Sequence, residues 1–196
     1  MSLLNPLSRE YSNRRLYKSL ITFLLYAFTF LTISAQKLKS DTDHKFNFSD
    51  LNQNKASVII FFDIECPICQ KYTKLLKEIN QKYSSEGIKV YMIYPHKNID
   101  KAAFKSFKTE YQFDLPIYFD NQRKLLSQLK GRVTPEVFLL NSQNQTIYHG
   151  AIDNWFYSLG KSRAQATENY LIEAIEDLLK GENVKNKYRE PIGCAL

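Results

Sequence analysis

The sequence is poor in the features that staple small domains or build fibres. Three cysteines in 196 residues are too few for a disulfide-held miniprotein, and the odd number leaves one thiol outside any single bridge. Six glycines and six prolines exclude a collagen-like chain. Hydrophobic residues at 44% and charged residues at 24% exclude a disordered one. The three histidines, His44, His96 and His149, are scattered, and none belongs to a second close Cys/His pair of the kind a zinc site needs. There is no internal repeat. No basic run is interleaved with aromatics, so the formal charge of +7 does not describe a surface that tracks a phosphate backbone, and nucleic acid is not expected as a partner.

What is present suits one domain of ordinary size with a sizeable core: 13 Tyr and 13 Phe in a 196-residue chain. Much of the excess charge sits at the N-terminus. Arg14, Arg15 and Lys18 precede an apolar run at 20–33 (LITFLLYAFTFLTI), and Ser34-Ala35 supplies small residues before Gln36. A basic flank, a short apolar stretch and a small-residue exit are the pattern of a secretory signal, placing the mature protein outside the cytoplasm. The same stretch, short of the roughly 20 apolar residues that span a bilayer, is alternatively an uncleaved anchor, in which case residues 20–33 hold the chain at a membrane. Without residues 1–35 the net charge is +4, an ordinary surface.

Residues 36–55 read as a lead-in strand and a loop, with an alternating piece at Phe46-Asn47-Phe48. Residues 58–62 (VIIFF) form a continuous β-branched and aromatic run, the signature of a strand buried on both faces. Ile68, Tyr72, Leu75, Leu76 and Ile79 recur at helical spacing, and Gly87 precedes a second apolar run at 88–94. A helix is expected from about Asn98 to Tyr111 with Asn98 as its cap. A short strand at 115–119 and a helical stretch at 122–130 follow, then an antiparallel hairpin from 137–140 and 146–149. A last helix ends at Lys180-Gly181, opened by a Ser162-x-x-Gln165 capping box or, as a rival start, by Thr167. Residues 182–196 carry charge, Pro191 and Gly193-Cys194 but no period, and read as a flexible tail. The order predicts an α/β domain over 56–181: a central mixed sheet, parallel early and antiparallel in a late hairpin, flanked by helices.

That order puts Cys66-Pro67-Ile68-Cys69 at the first strand-to-helix junction. Cys66 falls at a helix N-terminus, where unpaired amides and the positive dipole end favour a thiolate. Pro67 suits the first helical position, since its missing N–H has no partner there anyway. Positions three apart share a helix face, so the two sulfurs can meet. Lowering a thiol from about 8.5 to about 7 takes about 2 kcal/mol and brings the thiolate fraction at pH 7 to about half. Thiol–disulfide exchange follows: Cys66 attacks a substrate disulfide, and Cys69 attacks the resulting mixed disulfide and releases product. Glu65 opposes the thiolate by like-charge repulsion. A static structural disulfide and half a zinc site are the alternatives for the pair.

At these residues the chain resembles the thioredoxin-like superfamily, within it the exported redoxin-domain proteins, over about Phe46 to Lys180. The specific elements are Phe61-Phe62-x-x-x-Cys66-Pro67-x-Cys69 and Val133-Thr134-Pro135-Glu136-Val137-Phe138. The resemblance implies a thioredoxin-like fold, a cis Pro135 beside the cysteines, and a Thr134 backbone that pairs with an extended substrate segment. A trans Pro135 opening an edge strand is the alternative. The ending Pro191-Ile192-Gly193-Cys194 is similar to that of a redoxin branch. Two departures narrow the reading. Glu65 replaces the aromatic that thioredoxins place before the first cysteine. Asp63 stands where a peroxiredoxin has Thr or Ser three residues before its cysteine, and the upstream proline is missing, which disfavours a peroxiredoxin-type mechanism.

The expected activity is an exported thiol–disulfide oxidoreductase acting on protein disulfides or dithiols with a redox partner, with no cofactor and no assigned metal. One alternative is a thiol peroxidase with Cys66 attacking peroxide and Cys69 or Cys194 resolving. Another is a copper-handling or binding domain using Cys66, Cys69 and His149, although copper-chaperone relatives of the fold space their cysteines one residue wider. Cys194 either reaches Cys66 as a resolving cysteine or stays an exposed thiol, free or paired between chains.

Overall fold

The protein is represented by a computed structural model that describes residues 37–42 and 44–196. The apolar segment read as a signal or anchor lies outside the described residues. Two short strands, β1 (Lys37–Lys39) and β2 (Lys45–Asn47), pair antiparallel and turn Leu38 and Phe46 inward. A 3-10 stretch, Phe48–Gln53, then buries Phe48 and Leu51. The sequence marks only one strand here, because Lys37-Leu38-Lys39 offers a single apolar residue between charges, too little pattern to register.

β3 (Ala56–Phe61) is buried at every position. α1 (Pro67–Tyr83) follows with Pro67 at its first position. β4 (Ile88–Tyr94) lies parallel to β3. α2 (Lys101–Glu110) starts two to three residues later than the sequence suggests: Asp100, not Asn98, is the cap, its carboxylate accepting from the N–H groups of Ala102 at 2.8 Å and Ala103 at 3.2 Å. β5 (Ile117–Phe119) pairs parallel with β4. It begins after Pro116, which has no N–H to give a ladder. α3 (Lys124–Leu129) is shorter than its pattern, closed at both ends by Arg123 and Lys130 in left-handed backbone.

β6 (Val133–Thr134), β7 (Glu136–Asn141) and β8 (Thr146–Gly150) complete the expected hairpin region. An additional small hairpin, β9 (Phe156–Ser158) with β10 (Lys161–Ser162), follows. α4 (Tyr170–Leu179) takes neither expected start. Ser162 lies in β10, and the Thr167 hydroxyl accepts from the Asn154 amide at 2.8 Å instead. Asn169 precedes the helix, its N–H donating to the Glu173 carboxylate at 3.2 Å.

Residues 182–196, where the sequence suggests a flexible tail, carry β11 (Tyr188–Arg189), parallel to β8, and β12 (Cys194–Ala195), antiparallel to β6. The six-stranded sheet has the order β11-β8-β7-β3-β4-β5, with β3, β4 and β5 parallel and β7 and β8 antiparallel. One face packs on α1, α2 and α4 through Val58, Ile60, Leu76, Phe104 and Ile175. The other packs on the β1–β2 hairpin and α3 through Ile59, Phe61, Phe46 and Leu125. Alternate residues of β3 therefore enter opposite cores, which is why its sequence shows no polar alternation. Trp155, Phe156 and Tyr72 form a packed aromatic group, with ring centroids 5.5 Å apart for Tyr72–Trp155. Among the described residues no helix is long and apolar enough to cross a membrane.

Candidate active site

The end of buried β3 delivers the chain into a tight turn, with the Cys66 N–H donating to the Asp63 carbonyl at 3.2 Å, and Cys66 becomes the residue that caps α1. Its sulfur thus stands at the positive end of a 17-residue helix. Across from it, the Thr134–Pro135 peptide bond is cis, and the Thr134 carbonyl oxygen lies 3.1 Å from Cys66 Sγ. Glu136 holds this loop in place. Fully buried, its carboxylate accepts from the N–H of Arg132 at 2.7 Å and of Val133 at 3.4 Å. The signal for it in the sequence is an acidic residue opening an otherwise apolar strand.

Cys69, on the inward face of the first turn of α1, is buried as a free thiol. Burial pushes its pKa up. The Asp63 N–H, 3.5 Å from Cys69 Sγ, pulls in the other direction. So does the buried Thr134 hydroxyl, which has no oxygen or nitrogen partner and faces the sulfur. The Asp63 carboxylate adds a repulsion that favours the neutral thiol. Asp63 itself accepts from the Glu65 N–H at 2.9 Å, and its other oxygen lies 3.1 Å from His96 Nε2 without hydrogen-bond alignment, an electrostatic contact when the imidazole is protonated. From sequence, Asp63 marks only a departure from the peroxiredoxin pattern and His96 is one of three scattered histidines; the fold alone brings the two together.

Cys66 is bonded to Cys194, with Cα atoms 6.2 Å apart, rather than to Cys69. The bond is framed by a ladder: Cys194 sits opposite Thr134 and Ala195 opposite Val133, and the Leu196 N–H donates to the Arg132 carbonyl at 3.1 Å. The structure therefore gathers Cys66, Cys69, Thr134, Pro135 and Cys194 in one place. His149 is elsewhere, stacked on Phe138 at 5.6 Å. Among the described residues no group of three His, Cys, Asp or Glu side chains is placed to hold a metal ion.

A cysteine sulfur at a helix N-terminus, a buried thiol three residues on and a third cysteine on a docked strand have the chemistry to exchange disulfides among themselves and with an incoming sulfur. Solved structures similar to this one include a hypothetical protein from Sinorhizobium meliloti, 21% identical over 82% of this chain and 88% of that one, with a TM-score of 0.71. An uncharacterized conserved protein from Geobacillus kaustophilus is 18% identical over 83% of this chain and 88% of that one, with a TM-score of 0.68. A secreted disulfide oxidoreductase from Mycobacterium tuberculosis is 12% identical over 74% of this chain and 95% of that one, with a TM-score of 0.50. These likenesses establish a thioredoxin-like fold. A comparison with curated proteins finds no match. Residues 32–149 match the AhpC/TSA family, a span that contains Cys66, Cys69 and Thr134-Pro135 and stops short of the Cys194 strand. By that match the chain belongs to the AhpC/TSA family, as a thioredoxin-like redoxin protein.

Proposed function

We propose that this protein is an exported thiol–disulfide oxidoreductase whose substrates are disulfides in extended peptide segments. The family and fold carry a thiol redox function. The observation that carries the substrate class is the Thr134 edge, where an extended segment bearing a cysteine lies in antiparallel register with its sulfur on Cys66. That is the geometry of an enzyme–peptide mixed disulfide, and backbone pairing of this kind recognises a strand, not a small peroxide. Cys66 attacks one substrate sulfur and the other leaves as a thiolate. The Cys69 sulfur then attacks Cys66, the mixed disulfide breaks, and the substrate departs with both sulfurs reduced. Burial of Cys69 keeps it protonated until that second step, so it does not compete for the first attack. The N-terminal segment 1–35 supplies the export signal or anchor in this reading.

The test is dithiol-driven reduction of insulin by the wild type, Cys66→Ser and Cys69→Ser. Cys66→Ser should lose activity by about a hundredfold or more, and Cys69→Ser should accumulate a mixed disulfide on Cys66. Inert wild-type protein towards insulin, with rapid Cys66-dependent peroxide consumption, would replace this function with the peroxidase one.

A further inference from the structure

The strand that pairs with the Thr134 edge is the chain's own C-terminal segment. The fit is built into the sequence at both ends. At Gly150 in β8, an added Cβ would overlap the Arg189 carbonyl, so β11 can lie this close only over a glycine. At Gly193, an added Cβ would overlap the Thr134 carbonyl, so the residue before Cys194 must also lack a side chain. Between them Pro191 is buried and Ile192 packs on the main core, and beyond Gly193 Leu196 packs on the second one. An Arg132–Glu190 ion pair at 3.3 Å adds an exposed contact.

We propose that the segment 188–196 is a tethered substrate analogue: it closes the site while Cys66–Cys194 stands, and the substrates that replace it carry glycine immediately before their cysteine. This rests on the function proposed above and adds its regulation and sequence preference. Opening needs no outside reagent. The Cys69 thiolate attacks Cys66 Sγ; the Cys66–Cys69 bond forms as the Cys66–Cys194 bond breaks. Cys194 leaves as a thiolate and takes up the proton that Cys69 gave, so the chain's oxidation level is unchanged. An external dithiol opens the site in two exchanges, becoming a disulfide itself and leaving Cys66 and Cys194 as thiols. Once free of the bond, β12 keeps its two-residue ladder, the Leu196–Arg132 hydrogen bond and the packing of Ile192 and Leu196, and an external strand of the same kind competes with it for the edge.

The test uses full-length chains in two locked states. Oxidised Cys69→Ser can form only Cys66–Cys194 within the chain, whereas oxidised Cys194→Ser can form only Cys66–Cys69. The probe is a fluorescent peptide of residues 188–196 with serine for Cys194, and a second probe adds valine for Gly193, both read by anisotropy. Cys194→Ser should bind the first probe about tenfold or more tightly than oxidised Cys69→Ser, and dithiol should restore binding to the latter. The valine probe should bind about tenfold or more weakly than the first. Equal affinity in the two locked states, no binding to either, or equal affinity for the two probes would overturn the proposal. Insulin reduction is read separately. An active enzyme indifferent to its disulfide state loses the gate and keeps the function, while a gated but inactive one does the reverse.

Discussion

Cys66 and Cys69 stand three residues apart and are both buried, at 2% and 0% exposure; what separates them is that Cys66 holds the N-cap position of α1 while Cys69 lies within its first turn. Desolvation raises the Cys69 thiol above its ordinary value of 9.0. The folded chain thus keeps a proton that the unfolded chain loses, and the stabilisation is complete below about pH 9 and shrinks as pH rises beyond it, by about 1.4 kcal/mol per unit. Urea unfolding of the wild type and Cys69→Ala between pH 8.5 and 10 should show their stability difference narrowing at about that rate. A constant difference would mean that Cys69 titrates as a solvent-exposed thiol does. The pair itself was legible from sequence, because a buried-strand run, Pro67 and a helical period converge on it. Glu136 was not legible in its role: that a carboxylate in an apolar strand turns back to hold the Arg132 and Val133 amides is a fact of tertiary geometry.

At the scale of elements, the parallel β3–β4 core and the β7–β8 hairpin follow from apolar runs and turn residues that the sequence displays openly. Helix starts did not follow so well. Asn98, Ile99 and Asp100 offer two capping residues within three positions, and it is Asp100 whose carboxylate accepts from the amides of Ala102 and Ala103. Asp100→Ala should cost about 1 kcal/mol in chemical denaturation, whereas Asn98→Ala should stay within about 0.5 kcal/mol. The reverse ranking would return the cap to Asn98. At α4 both expected caps failed for one reason: Ser162 was taken into β10, and the Thr167 hydroxyl was engaged by the Asn154 side chain. Local capping patterns compete with contacts whose partners lie elsewhere in the chain.

For the whole molecule, the largest difference between sequence and structure is the C-terminal segment. Residues 182–196 have no periodicity, since a strand of two residues is too short to show any, and the glycine that admits β11 is about forty residues away in β8. Docking these residues converts an odd, unplaced thiol into the partner of Cys66 and closes a covalent loop spanning 128 positions. A loop of that size constrains the unfolded chain by up to roughly 5 kcal/mol in the chain-entropy account. The same docking fills the strand position where a peptide substrate is proposed to lie, so the chain's fold, redox state and substrate access become one question. Non-reducing peptide mapping of the wild type answers it most directly, after brief treatment with a mild disulfide reagent and an acid quench. The account predicts a dominant Cys66–Cys194 bridge with Cys69 recovered as a free thiol. A dominant Cys66–Cys69 bridge with Cys194 free throughout would contradict it and leave the tail a bystander.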